Sequence, residues 1–313
     1  MGMLVDGVWH DIGYDTSKTN GAFVRPPTVF RQRVTAEGTA QFPAVANRYH
    51  LYVSLACPWA HRVLIYRALK GLEEVLPISV VQPLMSAQGW TFATVPGAIP
   101  DGVNGATHLY EIYQKADPHY TGRVTVPVLW DTLQHTIVNN ESPELIRMLN
   151  TEFDALATRP TPDYYPPHLR DEIDRWNERI YHTVNNGVYR AGFATAQTEY
   201  ERAVTELFET LEVIEHTLAS RPYLCGTEIT EADWRLFPTL IRFDAVYHGH
   251  FKCNLRRIVD YPNLWRYTRA LYHHPQVGPT VNFEHIKGHY YASHLSINPT
   301  GIVPKGPTLD LSV

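Results

Sequence analysis

The first half of the chain mixes two periodicities and the second half shows one. Tyr49-His50-Leu51-Tyr52-Val53, aromatic and β-branched, predicts a strand. The run 58–70 predicts a helix, with Pro58 at its first position and Gly71 as its left-handed cap. Pro77-Ile78-Ser79-Val80-Val81 predicts a second strand, so this stretch reads as a parallel βαβ unit. After an irregular insertion over 82–117, Val124–Asp131 and Thr136–Val138 predict an antiparallel hairpin. Ser142 (N-cap) and Pro143 (first helical residue) open a further helix. The order βαβ then ββα is that of a thioredoxin-like domain. Residues 1–45 have weak periodicity and read as an irregular arm.

Beyond 158–167, which carries Pro160, Pro162, Pro166 and Pro167 and reads as a linker, the pattern is helical. Ile173, Trp176 and Ile180 mark one apolar face; Val204, Leu207, Phe208, Leu211 and Leu218 mark another. Thr230-Glu231-Ala232-Asp233 is close to a capping box, with Ile229 placed as a staple. Pro238 falls inside the following helix and predicts a bend. The last 25 residues or so read as irregular. The expected organisation is a thioredoxin-like domain over 1–157 and an all-helical domain over 158–313.

Composition narrows the function. The chain has 313 residues, 44% hydrophobic and 19% charged, with a net charge of −5. That balance argues against nucleic acid or an anionic membrane as partner. No stretch approaches membrane-spanning length, and Met1–Phe23 lacks the pattern of a secretory signal. Asp6 stands where a myristoylation motif requires Ser or Thr. Cys57, Cys225 and Cys253 are an odd number at wide spacing, which predicts neither a disulfide framework nor a zinc site and points to a reducing, cytoplasmic setting. His248-Gly249-His250 and His273-His274 lack a third ligand at metal-site spacing, so no metal is expected. The 19 tyrosines and 7 tryptophans suit a pocket for a flat aromatic ligand, although most must serve packing.

Candidate chemistry centres on Cys57. A cysteine where a strand gives way to a helix meets backbone N–H groups and the positive end of the helix dipole, which favour thiolate over thiol. Ala60 stands where a dithiol redox motif would carry its second cysteine. Cys57 can therefore form a mixed disulfide with a small thiol but has no neighbouring cysteine to resolve it. Cys225 and Cys253 have no motif around them and read as structural.

Four segments carry a resemblance: Cys57-Pro58-Trp59-Ala60, Arg123–Asp131, Asn140-Glu141-Ser142 and Asn185–Ala194. Together they resemble the glutathionyl-hydroquinone reductases, the Xi class of the glutathione transferases, over about residues 5–300. The resemblance implies Cys57 as nucleophile, and Trp90, Arg123, Val124, Thr125, Val126, Glu141 and Ser142 as the glutathione site. Val126, before an expected cis-Pro127, would offer its backbone to the tripeptide as a strand edge does. Ser142 would take the γ-glutamyl carboxylate and Glu141 its ammonium. Tyr189 would move the proton, and Tyr247 and Tyr290 would donate hydrogen bonds that favour the Cys57 thiolate. Glutathione as co-substrate, a glutathionylated hydroquinone or another aromatic substrate, and a homodimer are implied with them. Two rival functions share the cysteine motif or the fold. One is an omega-like thiol transferase or dehydroascorbate reductase; the other is a non-catalytic glutathione-binding module, which would have no need of an activated thiol.

Overall fold

The computed structural model describes residues 2–312. Contacts divide the chain into two units, neither of them contiguous. The first holds Met1–Tyr14, Pro26–Pro162 and Pro279–His289; the second holds Asp15–Arg25, Asp163–Gly278 and Tyr290–Val313. The sequence places one boundary at 157/158. The division instead falls after Pro162 and moves two segments across it. For the arm segment the reason is visible in its bonds. Thr195 N–H donates to the Gly21 carbonyl (3.0 Å), the Thr16 and Thr195 hydroxyls meet at 2.8 Å, and Arg25 Nε–H donates to Asn186 Oδ1 at 2.9 Å.

In the first unit, β1 (Met3–Val5) and β2 (Val8–His10) lie outside the main sheet and form a three-stranded sheet with β5 (Gly122–Arg123). The main sheet comprises β3 (Tyr49–Val53), β4 (Ile78–Val80), β6 (Val128–Asp131) and β7 (Thr136–Asn139), in the order β4-β3-β6-β7. Strands β3 and β4 are parallel, with Leu51 opposite Ile78, and the other pairs are antiparallel. All five residues of β3 are buried, the pattern of a strand covered on both faces. Helices α1 (Pro58–Lys70) and α3 (Ser142–Thr151) pack against each other. Gly71 ends α1 at φ 66°, its N–H reaching the Ala68 and Arg67 carbonyls, and a side chain there would strike Thr158 Oγ1.

Three sequence expectations shift here. The arm contains strands β1 and β2, and β1 pairs with β5 more than a hundred residues away, a pairing no local pattern reveals. The insertion contains a helix, α2 (Leu109–Ala116). Its N-cap is His108, which carries none of the usual capping signal, and Glu111 accepts from the His108 N–H (3.0 Å) and the Thr107 hydroxyl (2.8 Å). The rest of the insertion is organised around buried Asp101, whose carboxylate accepts from the Tyr52 hydroxyl and from the N–H groups of Val103, Asn104 and Ala106. Finally, the strand expected to start at Val124 begins at Val128, because Pro127 has no N–H to give a ladder.

The second unit is helical: α4 (Arg170–Ile180), α5 (Gly187–Gly192), α6 (Gln197–Leu218), α7 (Glu231–Arg242) and α8 (Pro262–Tyr272), with α9 (Phe283–Ser293) assigned to it from Tyr290 on. Every residue of α7 is buried, and the helix runs through Pro238. The near-capping box forms: Asp233 Oδ2 accepts from the Thr230 N–H (2.7 Å) and hydroxyl (2.9 Å), while Oδ1 accepts from the Tyr267 hydroxyl (2.8 Å) and the Leu224 N–H (3.0 Å). Two π-turns, Tyr181–Asn185 and Phe243–Tyr247, interrupt the helical spacing. Among the described residues no helix is long and apolar enough to cross a membrane.

Candidate active site

Cys57 is the N-cap residue of α1, extended at φ −75° and ψ 123°. Its backbone is fixed on both sides: its N–H donates to the Ser54 carbonyl (3.2 Å) and its carbonyl accepts from His61 N–H (3.0 Å). The half-buried thiol lies 3.6 Å from the carbonyl oxygen of Val126. The N-terminal turn of α1, whose first N–H groups have no intrahelical acceptor, begins at the next residue.

The chain opposite the cysteine is held from outside the sheet. Residues 124–127 belong to no ladder, and the Val126–Pro127 bond is cis. Buried Tyr113 of α2 takes the place of a neighbouring strand. Its hydroxyl donates to the Thr125 carbonyl (2.8 Å) and accepts from the Thr125 N–H (3.2 Å) and Asn140 Nδ2–H (3.1 Å). Burial pushes the Tyr113 phenol up, so it stays neutral and can both donate and accept. One side chain thus fixes the Thr125 peptide and the segment leading to α3.

That helix begins one residue earlier than its sequence suggests. Glu141, extended at φ −111° and ψ 108°, is the N-cap, and Ser142 and Pro143 are the first two helical residues. The reason is Asn139, whose Oδ1 accepts the Glu141 N–H at 2.7 Å and holds that peptide out of the helix. Glu141 Oε2 accepts from the Thr28 hydroxyl (2.9 Å). Ser142 Oγ faces Arg62 Nη1 of α1 at 3.4 Å, and the Arg62 guanidinium lies over the Trp59 ring. A helix N-terminus with a serine hydroxyl, a guanidinium nearby and a carboxylate at its cap is equipped to bind a group carrying both signs of charge, such as an amino-acid end.

Trp90 and Arg123 are occupied elsewhere in the same unit. Trp90 is buried and stacked on His289 (4.6 Å between centroids), whose Nδ1 is 3.0 Å from the Pro83 carbonyl. Arg123 lies over the Tyr14 ring and donates to the Ile12 and Gly13 carbonyls. Its observed bonds tie the arm down.

In the second unit the three tyrosines form a chain of hydroxyls. Tyr290 is central, 2.5 Å from the Tyr189 oxygen and 3.0 Å from the Tyr247 oxygen. Tyr189 sits on α5, Tyr247 is the last residue of the second π-turn, and Tyr290 is on α9. Tyr247 and Tyr290 are fully buried and Tyr189 is half-buried. Burial, reinforced by the neighbouring Tyr189 and Tyr247, pushes the Tyr290 phenol far up, so it keeps its proton. Phe193, Phe251 and His294 pack around the chain. Gly192 permits this: a methyl group there would lie 2.2 Å from Phe251 ring atoms. His250, pushed down to about 4 by burial, bonds His294 at 3.2 Å.

Tyr113, His289 and Arg25 touch candidate residues, each within its own unit, and the sequence does not single them out. Tyr113 lies in the insertion and Arg25 in the arm, both without periodicity. Arg25 covers the Tyr189 ring, with its guanidinium carbon 4.8 Å from the centroid. Cys225 and Cys253 are buried, and desolvation pushes Cys225 up to about 12 and Cys253 higher, which keeps both as inert thiols. Among the described residues no three His, Cys, Asp or Glu side chains are grouped to hold a metal.

Comparison with known proteins bears on both units. A glutathione S-transferase N-terminal domain model matches residues 56–152, and a glutathione S-transferase C-terminal domain model matches residues 197–270. The chain is 56% identical to glutathionyl-hydroquinone reductase PcpF of Sphingobium chlorophenolicum over 311 residues, 99% of this chain and 98% of that one. It is similar to the glutathione-bound structure of YqjG, a glutathione transferase homolog from Escherichia coli K-12, with a TM-score of 0.90 and 53% identity over 99% and 97% of the two chains. A Xi-class transferase from Natrialba magadii gives a TM-score of 0.95 at 48% identity, over 100% and 96% of the chains.

Proposed function

The chain belongs to the glutathionyl-hydroquinone reductases, the Xi class of the glutathione transferases, and from that premise we propose that it reduces glutathionyl-hydroquinones with glutathione. The observation that carries the reading is the 56% identity to PcpF along essentially the whole of both chains. The geometry of the first unit supports the roles of Cys57, Val126, Glu141 and Ser142.

The first unit binds glutathione. Val126 offers backbone groups on a segment outside any ladder, beside the Cys57 thiol, and Val124 and Thr125 enter on the resemblance, the Thr125 N–H and carbonyl being bonded to the Tyr113 hydroxyl. Ser142 and the start of α3 take the γ-glutamyl carboxylate, and Glu141 takes the ammonium. Trp90 and Arg123 enter on the resemblance alone. The second unit supplies the aromatic site and the proton.

The reaction then balances as follows. A ring carbon bearing sulfur is a poor centre for thiolate attack. Tyr189 gives a proton to that carbon and its oxygen takes the proton of the ring hydroxyl, which leaves a ketone and a neutral phenol. The Cys57 thiolate attacks the glutathione sulfur. The S–S bond forms, the C–S bond breaks, and the electron pair returns to the ring, whose oxygen takes a proton to give hydroquinone. A second glutathione thiolate attacks the Cys57 mixed disulfide and releases oxidised glutathione. The helix dipole at Cys57 favours the thiolate, and proton transfer of this kind is worth about 10²–10⁴-fold in rate. Tyr247 and Tyr290 support the charged states as hydrogen-bond donors. The enzyme works as a homodimer in the reducing cytoplasm, in keeping with its three thiols.

The test supplies glutathionyl-hydroquinone and glutathione and measures hydroquinone and oxidised glutathione. Equimolar appearance of the two supports the reading. Turnover of dehydroascorbate with none of glutathionyl-hydroquinone would overturn it in favour of an omega-like transferase, and binding of glutathione with no turnover of either would leave a binding module.

A further inference from the structure

Part of the arm has no periodicity of its own because its register is set by what it lies against. Asn140 N–H donates to the Phe30 carbonyl (3.1 Å) and Gln32 N–H to the Val138 carbonyl (2.9 Å), with Arg31 opposite Asn139 as an antiparallel bridge. The arm therefore covers the end of β7, the edge strand of the main sheet. It also follows one stripe of α3 from the cap onward. The Thr28 hydroxyl bonds Glu141, Arg31 Nε–H bonds Glu144 (2.9 Å), Val34 N–H faces Met148 Sδ (3.1 Å) and Ala36 N–H bonds Glu152 (2.9 Å). Positions 141, 144, 148 and 152 recur every three or four residues, the spacing of one helix face.

These contacts converge on the cap of α3. Asn139 is fully buried. Its Oδ1 takes the Glu141 N–H, while its Nδ2 donates to the Gln32 carbonyl of the arm (3.0 Å) and to Glu144 Oε2 (2.7 Å). The Glu141 peptide is thus fixed through Asn139, and its carboxylate is fixed by the Thr28 hydroxyl at 2.9 Å. Pro26 and Pro27 restrict the backbone before Thr28, and a β-branched side chain has few rotamers. A carboxylate has about four lone-pair sites, so one hydroxyl bond leaves capacity for an ammonium. Holding the carboxylate in advance removes part of the ordering cost of binding. Neighbouring Glu144 is committed elsewhere, since Arg31 bonds both of its oxygens.

We propose that Thr28 is a positioning residue for the γ-glutamyl subsite: it aims the Glu141 carboxylate at the ligand's α-ammonium, so that the arm confers selectivity for thiols with a free α-amino-acid end. This rests on the role given to Glu141 above.

The experiment is calorimetry on the full-length protein with two ligands. One is glutathione; the other is glutaryl-cysteinylglycine, which keeps the carboxylate and the thiol and lacks only the ammonium. Wild type, Thr28→Val, Glu141→Gln and the double variant are compared. Thr28→Val keeps the shape and loses the hydroxyl. It is expected to weaken glutathione about tenfold, the order of one hydrogen bond to a charged group, and to leave the analogue within about twofold. In the Glu141→Gln background the same change should add little. Thr28→Ser, which keeps the hydroxyl, should retain most of the preference for glutathione. A general loosening of the fold weakens both ligands together, so an equal loss for both in Thr28→Val overturns the proposal. Unchanged glutathione affinity in that variant overturns it too. The reading of Glu141 is tested separately. If wild type shows no preference for glutathione, or Glu141→Gln weakens both ligands alike, Glu141 does not hold the ammonium and the proposal falls with it. If Glu141→Gln separates the ligands and Thr28→Val does not, the proposal alone falls.

Discussion

The cysteine cradle and the tyrosine chain build chemistry in opposite ways. The cradle uses backbone: a helix N-terminus at Cys57, the Val126 carbonyl 3.6 Å from the thiol, and a second helix N-terminus at Ser142. Its parts come from a βαβ unit and the strands after it, so they are continuous with secondary structure. The tyrosine chain uses side chains alone, at positions 189, 247 and 290, brought into line by a short helix, a π-turn and the final helix. Backbone sites are hard to remove by substitution because the donors belong to every residue type. Side-chain sites are removed by a single atom. In the proposed mechanism the first unit holds the part of the chemistry common to any thiol exchange, and the second holds the part that can be tuned to a substrate.

Four measurements would break or sharpen that contrast. Cys57→Ser should reduce turnover of glutathionyl-hydroquinone to background while calorimetry still detects glutathione binding, since the backbone donors remain. Loss of binding together with turnover would mean that the thiol, and not the backbone, holds the tripeptide. Tyr189→Phe should slow the hydroquinone reaction by about 10²–10⁴-fold and leave reduction of a simple mixed disulfide far less affected. Equal slowing of both substrates would place Tyr189 in general thiol chemistry.

Gly192→Ala should cost about 1–3 kcal/mol in chemical denaturation, because its methyl group must displace the Phe251 ring that packs on Tyr189 and Tyr247. Its effect on hydroquinone turnover should exceed its effect on glutathione affinity. The last effect is on pH dependence. Burial pushes His50 in the first unit and His250 in the second down to about 4 from an ordinary 6.5. Between those values the unfolded chain binds protons that the folded chain does not, so stability falls as pH drops from about 6.5 towards 4. Each histidine can contribute a slope of at most about 1.4 kcal/mol per pH unit. Urea titrations across this range should flatten in His50→Asn and in His250→Asn. If the two variants flatten different transitions, the units unfold separately.

The same contrast explains how much of the molecule its sequence discloses. Strands β3 and β4, helix α1 and the β6–β7 hairpin are legible because aromatic and β-branched runs, Pro58 and Gly71 act locally. Cys57 is legible for the same reason, since its setting is a junction of adjacent elements. Strand β1 is not, because its partner Gly122–Arg123 is remote in sequence. Helix α2 is hidden by a histidine N-cap, and the α3 cap moves one residue because Asn139 bonds the Glu141 N–H. The tyrosines enter only through the Asn185–Ala194 motif and the wider resemblance. The π-turns add residues that break the 3.6 spacing, so periodicity could not have aligned Tyr247 with Tyr189.

Asp101 and Tyr113 together fasten the second half of the long insertion at two points. One carboxylate gathers Tyr52, Val103, Asn104 and Ala106 at its near end, and one phenol grips Thr125 and Asn140 at its far end. Protein engineers who transplant the stretch between these two fasteners as a cassette could vary its exposed positions, keeping buried Ala106, Leu109 and Ile112. The Tyr113 fastener would have to travel with it for the segment facing the cysteine to keep its place.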